Sequence, residues 1–116
     1  GLRTLVIEKE TPGGKVSVSP SIENYPGFTS ISGEELSRLF HEHAIKAGAK
    51  ILFPEEVIRL NLRGDWKKVY TKGGKEFSAR ALVIATGSED KRLGVPGEME
   101  FYGKGVSYCA VCDGHL

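Results

Sequence analysis

Two short apolar runs without polar interruption constrain the fold of this 116-residue chain most strongly. The first covers residues 4–7 and ends at Glu8, and the second covers residues 81–85 and runs into Thr86-Gly87. Apolar runs that lack alternation are typical of strands covered on both faces, and such strands belong to parallel sheets flanked by helices. We therefore predict an α/β fold that contains two parallel-type strands.

The segment between the two runs predicts a helix and an antiparallel ribbon. Ser32 and Glu35 make a capping-box pattern, apolar residues at helical spacing follow, and Gly48 ends the pattern. We expect a helix over residues 33–47. Further on, alternating apolar residues are separated by glycine-containing turns, as in a meander. The expected strands are residues 50–53, 58–63, 66–71 and 75–78, the last three forming an antiparallel meander.

Residues 9–30 are rich in glycine, proline, serine and threonine and have neither helical nor strand periodicity. A loop of this length in a small domain commonly belongs to a binding site. Gly13 and Gly14 allow the backbone to approach a flat or charged ligand, although a tight turn is the ordinary role of such glycines. Asn24 places an amide before the rigid turn Tyr25-Pro26-Gly27, with an Asx turn as the alternative. We predict a loop that contacts a ligand.

Charge and composition exclude several classes of partner. The chain has 16 Lys and Arg against 15 Asp and Glu, a formal net charge of +1, without the basic block of a nucleic-acid or anionic-membrane surface. No apolar run approaches the roughly 18 residues of a membrane span. We therefore expect neither a nucleic-acid partner nor a membrane partner.

Both ends of the sequence suggest a fragment of a longer protein. The chain has no initiator Met, enters a predicted strand at once, and closes on its only two cysteines. Glycine and proline are frequent in residues 88–105, as is typical of a domain boundary. We expect a fragment in which residues 1–102 form one domain and residues 103–116 form a hinge and the start of a second.

Glu8 is the first candidate for a functional side chain. Dinucleotide-binding folds place an acidic residue at the end of a buried strand, where its carboxylate accepts hydrogen bonds from ribose hydroxyls. The alternative is a solvated charge that ends the strand. The glycine fingerprint of such folds lies about 20 residues before the acid. Only seven residues precede Glu8, so this chain does not contain the segment in which to look for it.

The pair Cys109-x-x-Cys112 is the sharpest chemical motif, and three interpretations compete for it. A zinc site needs two further ligands, but the chain has only three histidines, two of them at an i, i+2 helical spacing that faces apart, so we expect no metal. A structural disulfide across two residues constrains the unfolded chain little. We favour a redox-active dithiol with a lowered thiol pKa. Asp113 is then either a proton donor to a departing thiolate or a helix cap.

The order and spacing of several motifs resemble those of one family. The motifs are Gly13-Gly14, Glu23-Asn24-Tyr25-Pro26-Gly27, Ala85-Thr86-Gly87 and Cys109-Ala110-Val111-Cys112-Asp113-Gly114. Together they resemble the low-molecular-weight thioredoxin reductases along the whole chain. The resemblance implies an incomplete Rossmann-like FAD-binding domain with an inserted antiparallel β-meander, ending at the start of an NADPH-binding domain. It also implies a cytoplasmic homodimeric flavoprotein in which electrons pass from NADPH through FAD and a disulfide to thioredoxin or a glutaredoxin-like protein.

The same resemblance implies a role for each matching position. Among the cofactor contacts, Glu8 would hold the adenosine ribose, Val57 would contact adenine through its backbone, and the residues along FAD would be Gly13, Gly14, Asn24, Thr86 and Gly87. Among the redox residues, Cys112 would face the flavin, Cys109 would exchange disulfides with the partner protein, and Asp113 would be the acid. The NADPH site would lie outside this chain. Because the family's opening glycine-rich strand-turn-helix is absent from these 116 residues, we expect them to be inactive alone.

Two other functions are kept as alternatives. A related flavoprotein reductase, such as the flavin subunit of alkyl-hydroperoxide reductase, carries a similar Cys-x-x-Cys and would be distinguished by an extra N-terminal redox domain. A non-catalytic nucleotide-binding module would keep the α/β body and leave the cysteines idle or bound to a metal. The shortage of further metal ligands disfavours the metal-bound form.

Overall fold

Two small sheets and two helices make up the regular structure of residues 1–109, the part of the chain that the computed structural model describes. In chain order the elements are β1 (Leu5–Ile7), α1 (Gly14–Ser17), α2 (Gly33–Lys46), β2 (Lys50–Leu52), β3 (Val57–Asn61), β4 (Lys67–Thr71) and β5 (Glu76–Ala79). Strands β1 and β2 pair in parallel, and β3, β4 and β5 form an antiparallel sheet in that order. The predicted α/β fold with an inserted antiparallel meander is confirmed.

Helix α2 begins and ends where the sequence predicts, to within one residue. The Ser32 hydroxyl accepts a hydrogen bond from the Glu35 N–H at 3.2 Å, as an N-cap does. The Glu35 carboxylate does not complete the capping box in this arrangement but accepts two bonds from Arg38, at 2.6 and 2.8 Å. Leu36 is buried on the inner face, and Gly48 ends the helix with a φ of +91°.

The prediction of a continuous loop over residues 9–30 is wrong at α1. Gly13 and Gly14, with φ values of +126° and +51°, turn the chain into a single helical turn that packs on α2. A Cβ on Gly33 would lie 1.8 Å from the Val16 carbonyl oxygen, so only glycine allows α1 and α2 this close approach. Four residues are too few for a helical period to be read from the sequence.

The rest of that loop is held by a short bridge and by a contact with helix α2. Ile22 and Ile31 form an isolated antiparallel bridge, with N–H to carbonyl oxygen distances of 2.8 and 3.0 Å, and the bridge closes the base of the intervening segment. The Tyr25 ring makes an edge contact with Phe40 of α2 at a centroid distance of 5.5 Å. The aromatic residue of the loop therefore anchors it to the helix.

The two apolar runs that led to the fold prediction are more exposed than expected. Leu5 and Val6 of β1 are 40% and 42% exposed, so β1 is not covered on both faces. The prediction of a strand at residues 81–85 is wrong, and there Val83 and Ile84 are 86% and 62% exposed. Composition identifies a segment that is able to form a strand, but a strand also needs a neighbour. Within residues 1–109, no strand pairs with residues 81–85.

The meander has one apolar and one polar face. Leu60, Val69 and Phe77 lie opposite one another in register across the three strands, and Val69 is buried. On the other face the Arg59 guanidinium lies 3.9 Å from the centre of the Tyr70 ring. Strand β3 begins one residue earlier and ends two residues earlier than the predicted strand at residues 58–63, and its register with β4 shifts between Val57 and Arg59.

The chain divides into two compact units, Gly1–Ala85 and Thr86–Leu116. The described part of the second unit, residues 86–109, has turns and one isolated bridge, Tyr102 with Val106. The predicted domain division after residue 102 stays a prediction. Among the described residues, no helix has both the length and the apolar character to cross a membrane.

Candidate functional site

An open cleft with a volume of about 430 Å³ lies beyond the ends of β1 and β2. Three segments line it, each following a strand: the lining residues are Lys9, Glu10, Pro54, Glu55, Glu56, Lys72 and Gly73. Open α/β sheets bind ligands outside the carboxyl ends of their parallel strands, and small-molecule sites commonly measure about 300–1,000 Å³. This open cleft lies at the edge of the sheet where such folds bind ligands.

Glu8 lies at the edge of this cleft, directly before its lining residue Lys9. The backbone of Glu8 continues the parallel pairing, because its N–H donates to the Leu52 carbonyl at 3.0 Å and its own carbonyl accepts from the Glu55 N–H at 2.8 Å. The side chain is half-buried, and its Oε1 accepts a bond from the Glu10 N–H at 3.0 Å. The carboxylate is thus held at the strand end and can also accept hydrogen bonds from hydroxyl groups of a ligand.

Glu55 forms a wall of the cleft and is only 7% exposed. Its Oε1 accepts a bond from the Gly73 N–H at 2.9 Å, and its Oε2 accepts a charge-assisted bond from Lys75 Nζ at 2.7 Å. The hydrogen bond from Lys75 is the largest cause that holds the pKa of this carboxyl below its usual range, followed by bonds from Thr71 and Gly73. The carboxylate therefore stays ionised and joins the segment after β2 to the β4–β5 turn.

Sequence reasoning missed Glu55, although a signal for it was present. Segments that follow two parallel strands meet at the same edge of the sheet. Glu8 was singled out because it follows the first strand, and the pair Glu55-Glu56 lies after the second one. The order of the strands therefore places the carboxylates of Glu8, Glu55 and Glu56 near the same edge of the sheet.

Glu56 faces two lysines of the same cleft. Its carboxylate accepts a bond from Lys72 Nζ at 3.2 Å and lies 4.0 Å from Lys9 Nζ, while its backbone carbonyl accepts from the Lys72 N–H at 2.8 Å. Val57 follows immediately, at the first position of β3. Of the residues predicted to contact FAD, Glu8 and Val57 are thus connected through the short segment that begins with Glu55.

Gly13, Gly14 and Asn24 lie in the segment that packs near α2. A Cβ on Gly13 would lie a tight 3.0 Å from the Ser37 Cβ, and the φ of +126° at this position favours glycine. The Ser37 hydroxyl there is buried and has no hydrogen-bond partner in the described part of the chain. Asn24 is exposed within the bridged loop. That these residues share one ligand with Glu8 stays a prediction.

The remaining predicted residues belong to the second compact unit or lie beyond the described residues. Thr86 and Gly87 are exposed and outside regular structure, with a φ of +68° at Gly87. Cys109 is half-buried and disulfide-bonded, and its N–H donates to the Ser107 hydroxyl at 3.0 Å. Cys112, the only other cysteine of the sequence, and Asp113 lie outside the described residues.

The disulfide at Cys109 bears on the three interpretations of the cysteine pair. A disulfide sulfur is not the thiolate that a zinc site requires. Among residues 1–109, no three His, Cys, Asp or Glu side chains cluster as ligands of one metal ion. A disulfide at Cys109 is one of the two states through which a redox-active dithiol cycles.

The sequence matches the pyridine nucleotide-disulphide oxidoreductase family over residues 1–115. The chain belongs to this family. Among curated relatives of this chain, the thioredoxin reductase of Bacillus subtilis is 51% identical over 113 residues, which are 97% of this chain and 35% of the relative. That of Treponema pallidum is 45% identical over 114 residues, 97% of this chain and 36% of the relative.

Solved structures of this oxidoreductase family agree with these matches. The thioredoxin reductase of Lactococcus lactis superposes with a TM-score of 0.80 at 41% identity, over 97% of this chain and 37% of that one. The thioredoxin reductase of T. acidophilum has a TM-score of 0.80 at 40% identity, over 100% of this chain and 38% of that one. The predicted family is confirmed, and the chain spans little more than a third of the length of these relatives.

Proposed function

We propose that this chain is part of an NADPH-dependent thioredoxin-disulfide reductase, a cytoplasmic homodimer that carries FAD. The observation that carries the proposal is the 51% identity with a thioredoxin reductase over 97% of the chain. The disulfide at Cys109 supports it, because an enzyme that reduces disulfides through its own cysteine pair needs such a bond.

The residues of the cleft suit the adenosine end of FAD. Glu8 has a half-buried carboxylate whose position is set by the Glu10 N–H, and two adjacent ribose hydroxyls are donors for such a group. The cleft of about 430 Å³ has room for a nucleoside. We propose that Glu8 holds the ribose and that the backbone of Val57 contacts adenine. Gly13, Gly14, Asn24, Thr86 and Gly87 complete the proposed FAD contacts.

The redox chemistry falls to the cysteine pair. When bound, FAD couples hydride transfer from NADPH to the two-electron reduction of a disulfide. The Cys109–Cys112 disulfide takes up two electrons and two protons and becomes a dithiol. The Cys109 thiolate then attacks the disulfide of thioredoxin, which forms a mixed disulfide and releases one thioredoxin thiolate. The Cys112 thiolate attacks Cys109 sulfur, releases the second thiol and restores the disulfide, with Asp113 as the proposed proton donor.

The test uses the full-length protein that contains this sequence. We expect it to purify with yellow flavin and to reduce thioredoxin with NADPH. Cys109→Ser and Cys112→Ser should each lower that activity by at least about 100-fold, since each removes one sulfur of the proposed redox dithiol, while flavin stays bound. Glu100→Gln, an exposed change in the same unit, is the matched control and should keep full activity.

Undiminished thioredoxin reduction in either cysteine variant would contradict the mechanism. Absence of bound flavin from the wild-type protein would contradict the proposed function itself. If the protein reduces a peroxide-reducing partner and not thioredoxin, the alkyl-hydroperoxide reductase alternative replaces it.

A further inference from the structure

Glu55 joins three parts of the structure around the cleft. Its N–H donates to the carbonyl of Glu8 at the end of β1, at 2.8 Å. Its carboxylate accepts from the Gly73 N–H and from Lys75 Nζ, on the turn between β4 and β5, at 2.9 and 2.7 Å. One residue thus links the strand end that carries Glu8, the segment after β2, and the turn that supplies the cleft residues Lys72 and Gly73.

The turn is shaped to receive this carboxylate. A Cβ at Gly73 would lie 2.7 Å from Glu55 Oε1, closer than a carbon and an oxygen can approach, so glycine leaves the space that the carboxylate occupies. The Lys75 N–H in turn donates to the Thr71 hydroxyl at 3.1 Å, which closes the turn beneath it. Because both oxygens of Glu55 are engaged by the turn, this carboxylate is committed to protein groups and not to a ligand.

We propose that Glu55 is a positioning residue for the nucleotide cleft: its carboxylate holds the β4–β5 turn against the strand end that carries Glu8. The inference rests on the proposed function, in which this cleft takes the adenosine end of FAD. It adds a residue that does not touch the cofactor and acts through the backbone of Glu8 and the turn at residues 72–75.

The test compares the two halves of FAD on the flavin-free, full-length protein. A positioning role at the adenosine end predicts that Glu55→Gln weakens binding of ADP about tenfold, and changes binding of FMN by less than about twofold. Lys75→Met removes one bond to the Glu55 carboxylate and leaves that from the Gly73 N–H, and Lys75 is exposed, so this variant should fold and should weaken ADP binding by about threefold. Dissociation constants come from calorimetry at a temperature where all variants are folded.

The matched control is Glu76→Gln. Glu76 is another glutamate of the meander and has its own lysine partner, Lys68 Nζ at 2.8 Å, on the polar face of the sheet. This variant should bind ADP and FMN as the wild type does. Unchanged ADP binding in Glu55→Gln would overturn the inference, and so would an equal loss of ADP and FMN binding, because a general loss of stability acts on both halves.

Amide hydrogen exchange separates failure of the inference from failure of the proposed function. In Glu55→Gln, exchange should become faster both at the turn, residues 72–75, and at residues 8–10 near the end of β1. If wild-type protein binds neither FAD nor ADP, the proposed function is wrong, and faster exchange at both places still supports the positioning role. Faster exchange at the turn alone would overturn it, because Glu55 would then fasten only the hairpin.

Discussion

Two buried carboxylates organise two regions of this chain in different ways. Glu55, in the first unit, is 7% exposed and is bound by groups 18 and 20 residues away, one of them a lysine. Glu98, in the second unit, is 5% exposed and accepts bonds from the backbone N–H groups of residues 93–95, at 2.7, 2.6 and 3.3 Å. One carboxylate joins distant segments, and the other folds its own loop.

The difference lies in what balances each negative charge. At Glu98, three consecutive peptide N–H groups converge on the carboxylate, as the amides of an anion-binding nest do. At Glu55, an ammonium group supplies the balance, and it is present only when the meander is folded against the segment after β2. The Glu98 arrangement is local and independent of other elements. The Glu55 arrangement depends on tertiary structure, because it joins two segments that are distant along the chain.

We expect the largest effect from Glu98→Gln. The neutral side chain cannot accept the same three bonds with equal strength, and its NH₂ group faces backbone donors. The loop at residues 93–98 should lose about 2–3 kcal/mol of local stability. Amide exchange at residues 93–95, measured by NMR, should become correspondingly faster.

The control for this change is Glu100→Gln, an exposed glutamate two residues on, which should leave exchange at residues 93–95 unaltered. If Glu98→Gln also speeds exchange at the β4–β5 turn as much as at its own loop, the carboxylate is not local in its effect. The contrast with Glu55 would then fail.

Gly73→Ala should have a smaller effect that depends on Glu55. The added Cβ would lie 2.7 Å from Glu55 Oε1 and displaces the carboxylate from its bond with the Gly73 N–H. When Glu55 is present, we expect Gly73→Ala to lower the free energy of unfolding, measured with urea, by about 1 kcal/mol. In the Glu55→Ala background the space is open, and the same change should cost less than about 0.5 kcal/mol. Equal costs in both backgrounds would mean that the carboxylate does not occupy this space in solution.

The elements that local signals specify were predicted well. Helix α2 has a capping hydroxyl at Ser32, an apolar stripe and a terminating glycine, and all three act within a few residues of the chain. The meander has turns whose glycines adopt positive φ, at Gly64 and Gly74. The position of Glu8 at the end of a strand was predicted for the same reason, because an acid after an apolar run is a local pattern, and its contact with ribose stays a prediction.

What the sequence did not reveal depends on partners that are distant along the chain. Residues 81–85 have strand composition, but no strand within residues 1–109 pairs with them, whereas β1 pairs with β2. Helix α1 exists because Gly33 lets its backbone approach α2, which no periodicity in four residues can report. Glu55 could be placed near Glu8 from the order of the strands, but its bonds to the β4–β5 turn span 18 and 20 residues and are seen only in the folded structure.

The Glu55 arrangement should respond to acid in a direction that its pKa determines. The hydrogen bond from Lys75, the largest cause, holds the pKa of Glu55 below its usual 4.5. A carboxyl with a lowered folded-state pKa contributes stability that is present above its unfolded pKa and is lost as the pH falls through the folded one. The turn should therefore loosen only at a pH below 4.5. The Gly73 amide shift, followed by NMR during acid titration, measures this transition.

Lys75→Met sharpens the same experiment. Without the ammonium group the pKa of Glu55 should rise toward its usual value, and the transition at the Gly73 amide should move to higher pH. Glu55→Gln should abolish the transition, which assigns it to this carboxyl. A transition that stays in place in Lys75→Met would show that the lysine is not the group that balances the charge.

The smallest effect is expected at Val83, in the apolar run between the two carboxylate regions. The same substitution to threonine can be made at Val83, which is 86% exposed, and at Val69 of the meander, which is 6% exposed. Val69→Thr buries a hydroxyl on the apolar face and should cost about 2 kcal/mol in urea unfolding. Val83→Thr should change the free energy of unfolding by less than about 0.5 kcal/mol, because replacing an exposed methyl group removes little buried apolar surface. An equal loss of unfolding free energy at both valines would mean that residues 81–85 are buried in solution, as the strand prediction required. Contacts with distant parts of the chain would then stabilise this segment as they stabilise the meander and the Glu55 turn.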